Sequence, residues 1–237
     1  MTLVVEVLEL GEVQLPDWHP RVDDVTALIR AFVIRHPDGV VVFDTGVGPG
    51  HPLIDDIYQQ PEITPIIDAL NAVGVDERDV AAIVNSHLHF DHCGQNHALP
   101  SVPVYVQSAE LAAARQPHYT IAEWAHIEPD RRRVIDGDEE IAPGVKILAT
   151  PGHTPGHQSL LVQGTDGRAQ LIAGQCCYTC AEFSAGAVAA DNIHDETYEQ
   201  VAAETLDRLR RLPIAAAHFS HDRTIYRPST KRLAANS

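Results

Sequence analysis

Asn85-Ser86-His87-Leu88-His89-Phe90-Asp91-His92-Cys93-Gly94 puts four side chains able to bind a metal within six residues, directly after the apolar run Ala81-Ala82-Ile83-Val84. His87 and His89 stand two apart, so an extended backbone projects both imidazoles to one side, and a turn through Phe90 brings Asp91 and His92 back over them. Imidazoles and a carboxylate suit Zn²⁺ or another first-row divalent ion without any thiolate. Four polar residues in an ordinary loop would be a coincidence of residue type and spacing.

Outward from this stretch, apolar runs alternate with turn signals. Val80 to Val84 reads as the strand that delivers the loop. Upstream, Leu3 to Leu10, Ala27 to Ile34 and Val40 to Phe43 read as strands, the last two joined as a hairpin through Pro37-Asp38-Gly39. Asp44-Thr45-Gly46-Val47-Gly48 follows; an Asp at such a strand end braces a loop by hydrogen bonds, and an Asx-turn unconnected with metal is the alternative. Thr64-Pro65 supplies an N-cap and a first residue for a helix through Ile66, Ile67 and Leu70 that Gly74 stops. Pro100 to Val106 predicts a strand, and Ser108 caps a helix through Leu111 and Ala114. Gln116 to Pro129, with Tyr119, Ile121, Trp124 and Ile127, reads as an amphipathic helix that either covers the site or packs in the core. Val145 to Ala149, Gln158 to Gln163 and Arg168 to Ala173 return to strands, with Gly164-Thr165-Asp166-Gly167 as a hairpin turn. Asp195 caps a helix with Tyr198, Val201, Ala202, Thr205, Leu206 and Leu209 on its apolar face, and Pro213 ends it before a last strand, Ile214 to Phe219. No linker or repeat interrupts the pattern, so residues 1–237 read as a single domain, α/β or α+β by periodicity alone.

Composition narrows the function. The chain of 237 residues carries 17 Lys+Arg against 33 Asp+Glu, a formal net charge of −16. Such a surface repels phosphate backbones and anionic membranes, so neither nucleic acid nor membrane is expected as a partner. Arg131-Arg132-Arg133 and Arg208 to Arg211 are short enough to be a strand edge or a solvated helix face. The N-terminal residues lack a basic, then long apolar, leader, and no run is long enough to span a bilayer, which predicts a cytoplasmic protein. Three of the four cysteines crowd into Cys176-Cys177-Tyr178-Thr179-Cys180, too close for a disulfide framework, and are expected to be small buried thiols. Fourteen histidines are many for this length, and metal binding is the simplest reason.

His87-Leu88-His89-Phe90-Asp91-His92 resembles the HxHxDH signature of the metallo-β-lactamase-fold hydrolases, and Asp44-Thr45-Gly46 resembles the element that precedes it in that family and supports the ligands. The resemblance implies an αββα sandwich of two mixed β-sheets flanked by helices, with metals at one rim. Thr150-Pro151-Gly152-His153-Thr154-Pro155-Gly156-His157 is a tight loop after a strand. It is similar to the family's third motif, with His153 the implied ligand and His157 a structural neighbour. Of His218 and His221, strand alternation and the similarity of Phe219-Ser220-His221-Asp222 to the family's last motif favour His221.

On that resemblance His87, His89 and His153 form one site and Asp91, His92 and His221 the other, for one or two Zn²⁺, with Mn, Fe or Co also accepted by such donors. Gln175, in Leu171-Ile172-Ala173-Gly174-Gln175, stands where the family carries a bridging carboxylate. It offers only a neutral oxygen, which predicts weaker occupancy of one site. Tyr178, three residues on, matches a metal-facing tyrosine of the N-acyl-homoserine lactonase branch. The implied activity is hydrolysis of N-acyl-homoserine lactones, of quorum-quenching type, by attack of a metal-bound hydroxide, with Tyr178 at the carbonyl oxygen and Asp91 passing a proton to the leaving oxygen. The partner is a small-molecule lactone, and the chain could pair as a homodimer. The alternatives are another ester or thioester hydrolase of the same fold, or a catalytically silent metal-binding module because of Gln175.

Overall fold

In this computed structural model, which describes residues 3–17, 19, 26–59, 61–164 and 168–228, the apolar runs before the loop and the two strands after it build one sheet. Its strands are β1 (Val4–Gln14), β2 (Thr26–His36), β3 (Gly39–Phe43), β4 (Val80–Val84), β5 (Val104–Gln107) and β6 (Arg132–Ile135), adjacent in that order. The second sheet holds β7 (Glu139–Ala142), β8 (Val145–Ala149), β9 (Gln158–Gln163), β10 (Ala169–Ile172) and β11 (Ile214–His218), in the order β11-β10-β9-β8-β7. Both are mixed: β1, β2 and β3 pair antiparallel and β3 to β6 parallel, while β10 and β11 are parallel and the rest of the second sheet antiparallel. Helices α1 (Pro52–Ile57), α2 (Ile66–Ala72), α3 (Phe90–Cys93), α4 (Ser108–Ala113), α5 (Ala122–Ala125), α6 (Cys180–Ala185) and α7 (Glu199–Arg210) complete the chain.

Strand alternation explains the layering. On β2 and β3, Phe32, Ile34, Val41 and Phe43 face the second sheet and meet Ile147, Leu160, Val162 and Ile172. Their neighbours Ile29, Ala31, Val33, Val40 and Val42 face the other way and pack against Ile66, Ala69 and Leu70 of α2. Leu148 and Leu171, on the outer face of the second sheet, pack against Phe183 of α6 and Leu206 and Leu209 of α7. With both faces of each sheet covered, central strands are apolar at nearly every position, and each large side chain withdrawn from water contributes about 1.5–3 kcal/mol. The architecture is therefore helix, sheet, sheet, helix, as expected from the sequence. Among the described residues no helix is long and apolar enough to cross a membrane.

Local expectations fared unevenly. The 37–39 turn, the strand Val80–Val84 and the Asp195 cap stand as read, although Asp195 caps a short 3-10 turn that leads into α7. The tip of the turn expected at 164–167 lies outside the described residues at 165–167, but β9 and β10 do form the antiparallel pair. β1 runs on past Leu10 to Gln14 through a register shift between Glu9 and Gly11. The strand expected from Pro100 begins only at Val104, because residues before it turn back to accept the side chain of Arg131 at the carbonyls of Leu99 and Val102. Thr64 does not cap α2: Pro65 occupies the cap position, and Gln95 accepts the Ile66 N–H at 2.7 Å in its place. Ser108 is the first residue of α4 rather than its cap. Gln116 to Pro129 is not a helix except for one turn, α5; Pro117 and a positive φ of 63° at His118 break it. β6 and β7 have no counterpart among the strands read from the sequence, because each is a short edge strand whose exposed residues carry no alternating apolar signal.

The C-terminal ends of β3, β4, β8, β10 and β11 all reach one rim of the sandwich. Gln158 ties the two sheets there: its backbone N–H donates to the Ser86 carbonyl at 2.8 Å and its side chain to the Asn85 carbonyl at 2.7 Å.

Candidate metal centre

Loop 85–94 is held from behind by Asp44. Fully buried at the end of β3 and in the left-handed region at φ 62°, Asp44 accepts the Ser86 N–H at 2.6 Å and the Ser86 hydroxyl at 2.8 Å, and its second oxygen also lies 2.8 Å from His92 Nδ1. The loop's shape is thus set by one carboxylate on the neighbouring strand.

Within that frame His87, His89 and His153 converge. His89 Nδ1 lies 3.0 Å from His87 Nε2 and 3.2 Å from His153 Nε2. Burial holds His87 and His153 well below the ordinary imidazole range and His89 down at about 4, so all three are neutral near pH 7. A neutral ring carries one proton, and His89 Nδ1 cannot satisfy both neighbours at once. Three convergent nitrogens of this kind suit a cation.

Asp91, His92 and His221 make a second group whose ligand atoms, like those of the first, lie within 4.8 Å of one another. Asp91 Oδ2 is 3.2 Å from His92 Nε2 and 3.6 Å from His221 Nε2. Burial alone would lower His92, but Asp91 and Asp44, one at each ring nitrogen, raise it to about 10. Burial likewise would raise Asp91, yet the imidazoles of His92, His221 and His89 hold it well below the usual carboxylate range. A positive charge is therefore favoured between these side chains, and a divalent ion would take the place of the His92 proton. His221 Nδ1 lies 2.7 Å from the Leu28 carbonyl and so carries its proton there, which puts the ring's lone pair on Nε2, the nitrogen that faces Asp91. By donor chemistry both groups fit a divalent metal.

Gln175 projects between the parts of this site with a determined orientation. Asn192 Nδ2 donates to the Gln175 carbonyl at 3.0 Å, which turns Asn192 Oδ1 toward the Gln175 side chain. Gln175 Nε2 then donates to that oxygen at 3.1 Å, and Oε1 is left 3.0 Å from both His92 Nε2 and His221 Nε2. The backbone here is equally constrained: Gly174 has φ +63°, and a Cβ on it would stand 2.9 Å from His157 Nε2. His157 accepts the Gln175 N–H at that nitrogen, at 3.0 Å, and burial keeps it neutral down to about 3. It is a structural neighbour rather than a member of either group. His218, in the core beside Phe32 and 3.2 Å from Gln170 Oε1, belongs to neither.

Both groups open into a cleft of about 250 Å³ lined by His89, Asp91, His153, Gln175, Tyr178 and His221, with Val13, Leu15, Ala27 and Phe90 as apolar wall. The Tyr178 ring lies 5.0 Å from that of His221, centre to centre. Tyr58 also faces the cleft, and burial, with Asp91 nearby, pushes its phenol up to about 12. Asp191 lines the cleft as well; no Lys or Arg does among the described residues. Cys176 and Cys177 point away into the outer core as buried free thiols, and Cys180 is half-buried.

Four residues that organise the site carried no local signal. Asn192 and Ser86 are ordinary loop residues in sequence, Glu110 sits in a helix, and Tyr119 fell in the segment read as an amphipathic helix. What identifies them is contact with residues at least six positions away, Ser86 with Asp44 and His92, Asn192 with Gln175, Tyr119 with His89 and Glu110.

Comparison with known proteins agrees with this geometry. The family model of the metallo-beta-lactamase superfamily matches residues 28–174. An N-acyl homoserine lactonase of Bacillus sp. is 34% identical over 167 residues, covering 65% of this chain and 66% of the relative, so the chain spans just under two thirds of that curated protein's length. Similarity in structure reaches further. A Bacillus thuringiensis AiiA variant crystallised with N-decanoyl-L-homoserine at its active site has a TM-score of 0.77 and 26% identity, covering 94% of this chain and 95% of its own. An N-acyl homoserine lactone hydrolase with N-hexanoyl-L-homoserine at its catalytic metal centre gives 0.77 and 27%, with the same coverage.

Proposed function

The chain belongs to the metallo-beta-lactamase superfamily, and from that premise we propose that it is a metal-dependent hydrolase that opens lactone rings, with N-acyl homoserine lactones as the substrate class. The observation that carries the proposal is the cleft itself. It brings two metal-type ligand groups and Tyr178 to an apolar wall, without a single ammonium or guanidinium group among the described residues. An anionic thioester conjugate or phosphodiester would enter against Asp91 and Asp191 with no Lys or Arg among the described lining residues to bind it. A neutral lactone with an acyl chain meets no such penalty.

Hydrolysis joins a water oxygen to the carbonyl carbon, breaks the ring C–O bond and places a proton on the departing ring oxygen. His87, His89 and His153 would hold one divalent ion, and Asp91, His92 and His221 a second; zinc suits the donors best, with Mn, Fe and Co compatible. When bound, such ions supply Lewis acidity at the carbonyl and lower the pKa of water. Tyr178 donates its phenolic hydrogen to the oxygen on which charge develops. Asp91, kept ionised by the imidazoles around it, receives a proton from the attacking water and returns it to the ring oxygen as that oxygen leaves. The apolar wall seats the acyl chain.

A panel of acyl-homoserine and simple aliphatic lactones, offered to zinc-loaded and chelator-stripped protein, tests the proposal. Ring opening that depends on metal is expected. Zinc bound without turnover of any lactone, ester or thioester would instead support the silent metal-binding module, for which the neutral oxygen of Gln175 is the motivating feature.

A further inference from the structure

Glu110, on α4, is wholly buried and forms no ion pair with Lys or Arg among the described residues. Its carboxylate collects hydrogen-bond donors from three separate segments instead. Oε1 accepts the Leu88 N–H at 2.8 Å and the Tyr119 hydroxyl, and Oε2 accepts the Thr154 hydroxyl at 2.6 Å. The backbone of Gly156 passes close by, against that of Glu110. Glycine is required there, because a Cβ at 156 would lie 2.2 Å from Glu110 N. Removing a carboxylate from water costs several kcal/mol, and stability alone would be served as well by an apolar side chain.

The donors share one property. Leu88 lies between His87 and His89, Thr154 follows His153, and the Tyr119 ring packs 4.7 Å from that of His89. Each member of the histidine trio is thus one residue, or one ring contact, away from a group anchored on Glu110. We propose that Glu110 is the positioning residue that sets the His87, His89 and His153 nitrogens for a divalent cation, an inference that rests on the metal-centre reading above. Charge matters because all three partners are donors. The hydroxyls of Tyr119 and Thr154 can rotate, but the Leu88 N–H is fixed, so an amide at 110 keeps its oxygen there, turns its NH₂ toward Thr154 and offers Leu88 and Tyr119 a neutral acceptor in place of a charged one.

The test uses the full chain carrying His221→Ala, which weakens the other ligand group, with zinc affinity read by competition against a chromophoric chelator. Glu110→Gln is expected to lower that affinity roughly 10–100-fold, the usual effect of losing a ligand's hydrogen-bonded support, while circular dichroism and the melting temperature of chelator-stripped protein stay near the parent. Tyr119→Phe and Thr154→Val, each removing one arm, should show smaller losses in the same direction. Unchanged zinc affinity in Glu110→Gln would overturn the proposal, including the case in which only the stripped protein's melting temperature falls. If that variant does not fold, unchanged affinity in both single-arm variants overturns it and weakened affinity in both supports it. A parent chain that binds no zinc would overturn the metal-centre reading itself, and would be seen before any variant at 110 is made.

Discussion

Gln175 contributes an oxygen but no charge. Two divalent ions held by the two ligand groups bring four positive charges against one carboxylate among the proposed ligands, Asp91. Repulsion between the ions is therefore little compensated, and the second is expected to bind more weakly than the first. Gln175→Asp adds a negative charge between the groups and should tighten the second zinc by about tenfold or more, a modest share of the Coulomb energy at such separations. Calorimetric titration of both chains measures it; two tightly held, chelator-resistant ions in the unaltered chain would refute it. At the same scale, His89→Ala removes the nitrogen central to the histidine trio and is expected to abolish turnover. Tyr178→Phe keeps the ring against His221 but deletes the donor, and kcat should fall roughly 10²-fold with KM little changed. An unchanged kcat would take Tyr178 out of the mechanism.

At the scale of elements, α7 is fastened to the strand that leads to His153. Asp138 accepts the Ala149 N–H at 3.0 Å, at the end of β8, and Arg208 of α7 at 2.6 Å, with Lys146 3.5 Å away. Burial by itself would raise the Asp138 pKa, but the Arg208 and Ala149 donors outweigh it and hold the carboxyl below its ordinary value. Because the folded pKa is the lower one, the contribution is complete above the unfolded value, near pH 4, and disappears as pH falls through the folded value. Asp138→Asn should cost about 1 kcal/mol at pH 7, and the difference should be smaller at an acid pH that protonates the folded carboxyl. Urea denaturation of both proteins at the two pH values would show it; a cost independent of pH would mean that the charge is not what fastens the helix.

At the scale of the whole molecule, the rim is where the two sheets depend on each other. His87, His89, Asp91 and His92 follow β4 of the first sheet, whereas His153, Gln175 and His221 follow β8, β10 and β11 of the second. Ions shared by these residues would cross-link the sandwich in the folded state alone, so stripping them should lower the melting temperature, and restored zinc should raise it in a concentration-dependent way. A melting temperature indifferent to chelator would argue that the rim is held by its hydrogen bonds, among them those of Asp44 and Gln158. The formal net charge of −16 acts in the same direction as the cleft, drawing cations in and keeping anionic substrates out, an effect that added salt should weaken.

The amino-acid sequence by itself determined what local pattern can carry. Close spacing marked the His87 to His92 cluster, apolar periodicity marked the central strands, and turn residues marked the 37–39 hairpin and the tight loop around His153. The layered α+β architecture followed from the resemblance those motifs bear. Tertiary structure alone decided which side chains meet: the amide of Gln175 turned by Asn192 with its oxygen toward His92 and His221, and Gln95 rather than Thr64 capping α2. It also decided that Tyr119 reaches His89 from an irregular loop and that Glu110 binds donors from three segments. The physical reason is the same in each case. A hydrogen bond needs only a donor and an acceptor brought together, and residues tens of positions apart in the chain have no periodicity by which to announce that folding makes them neighbours.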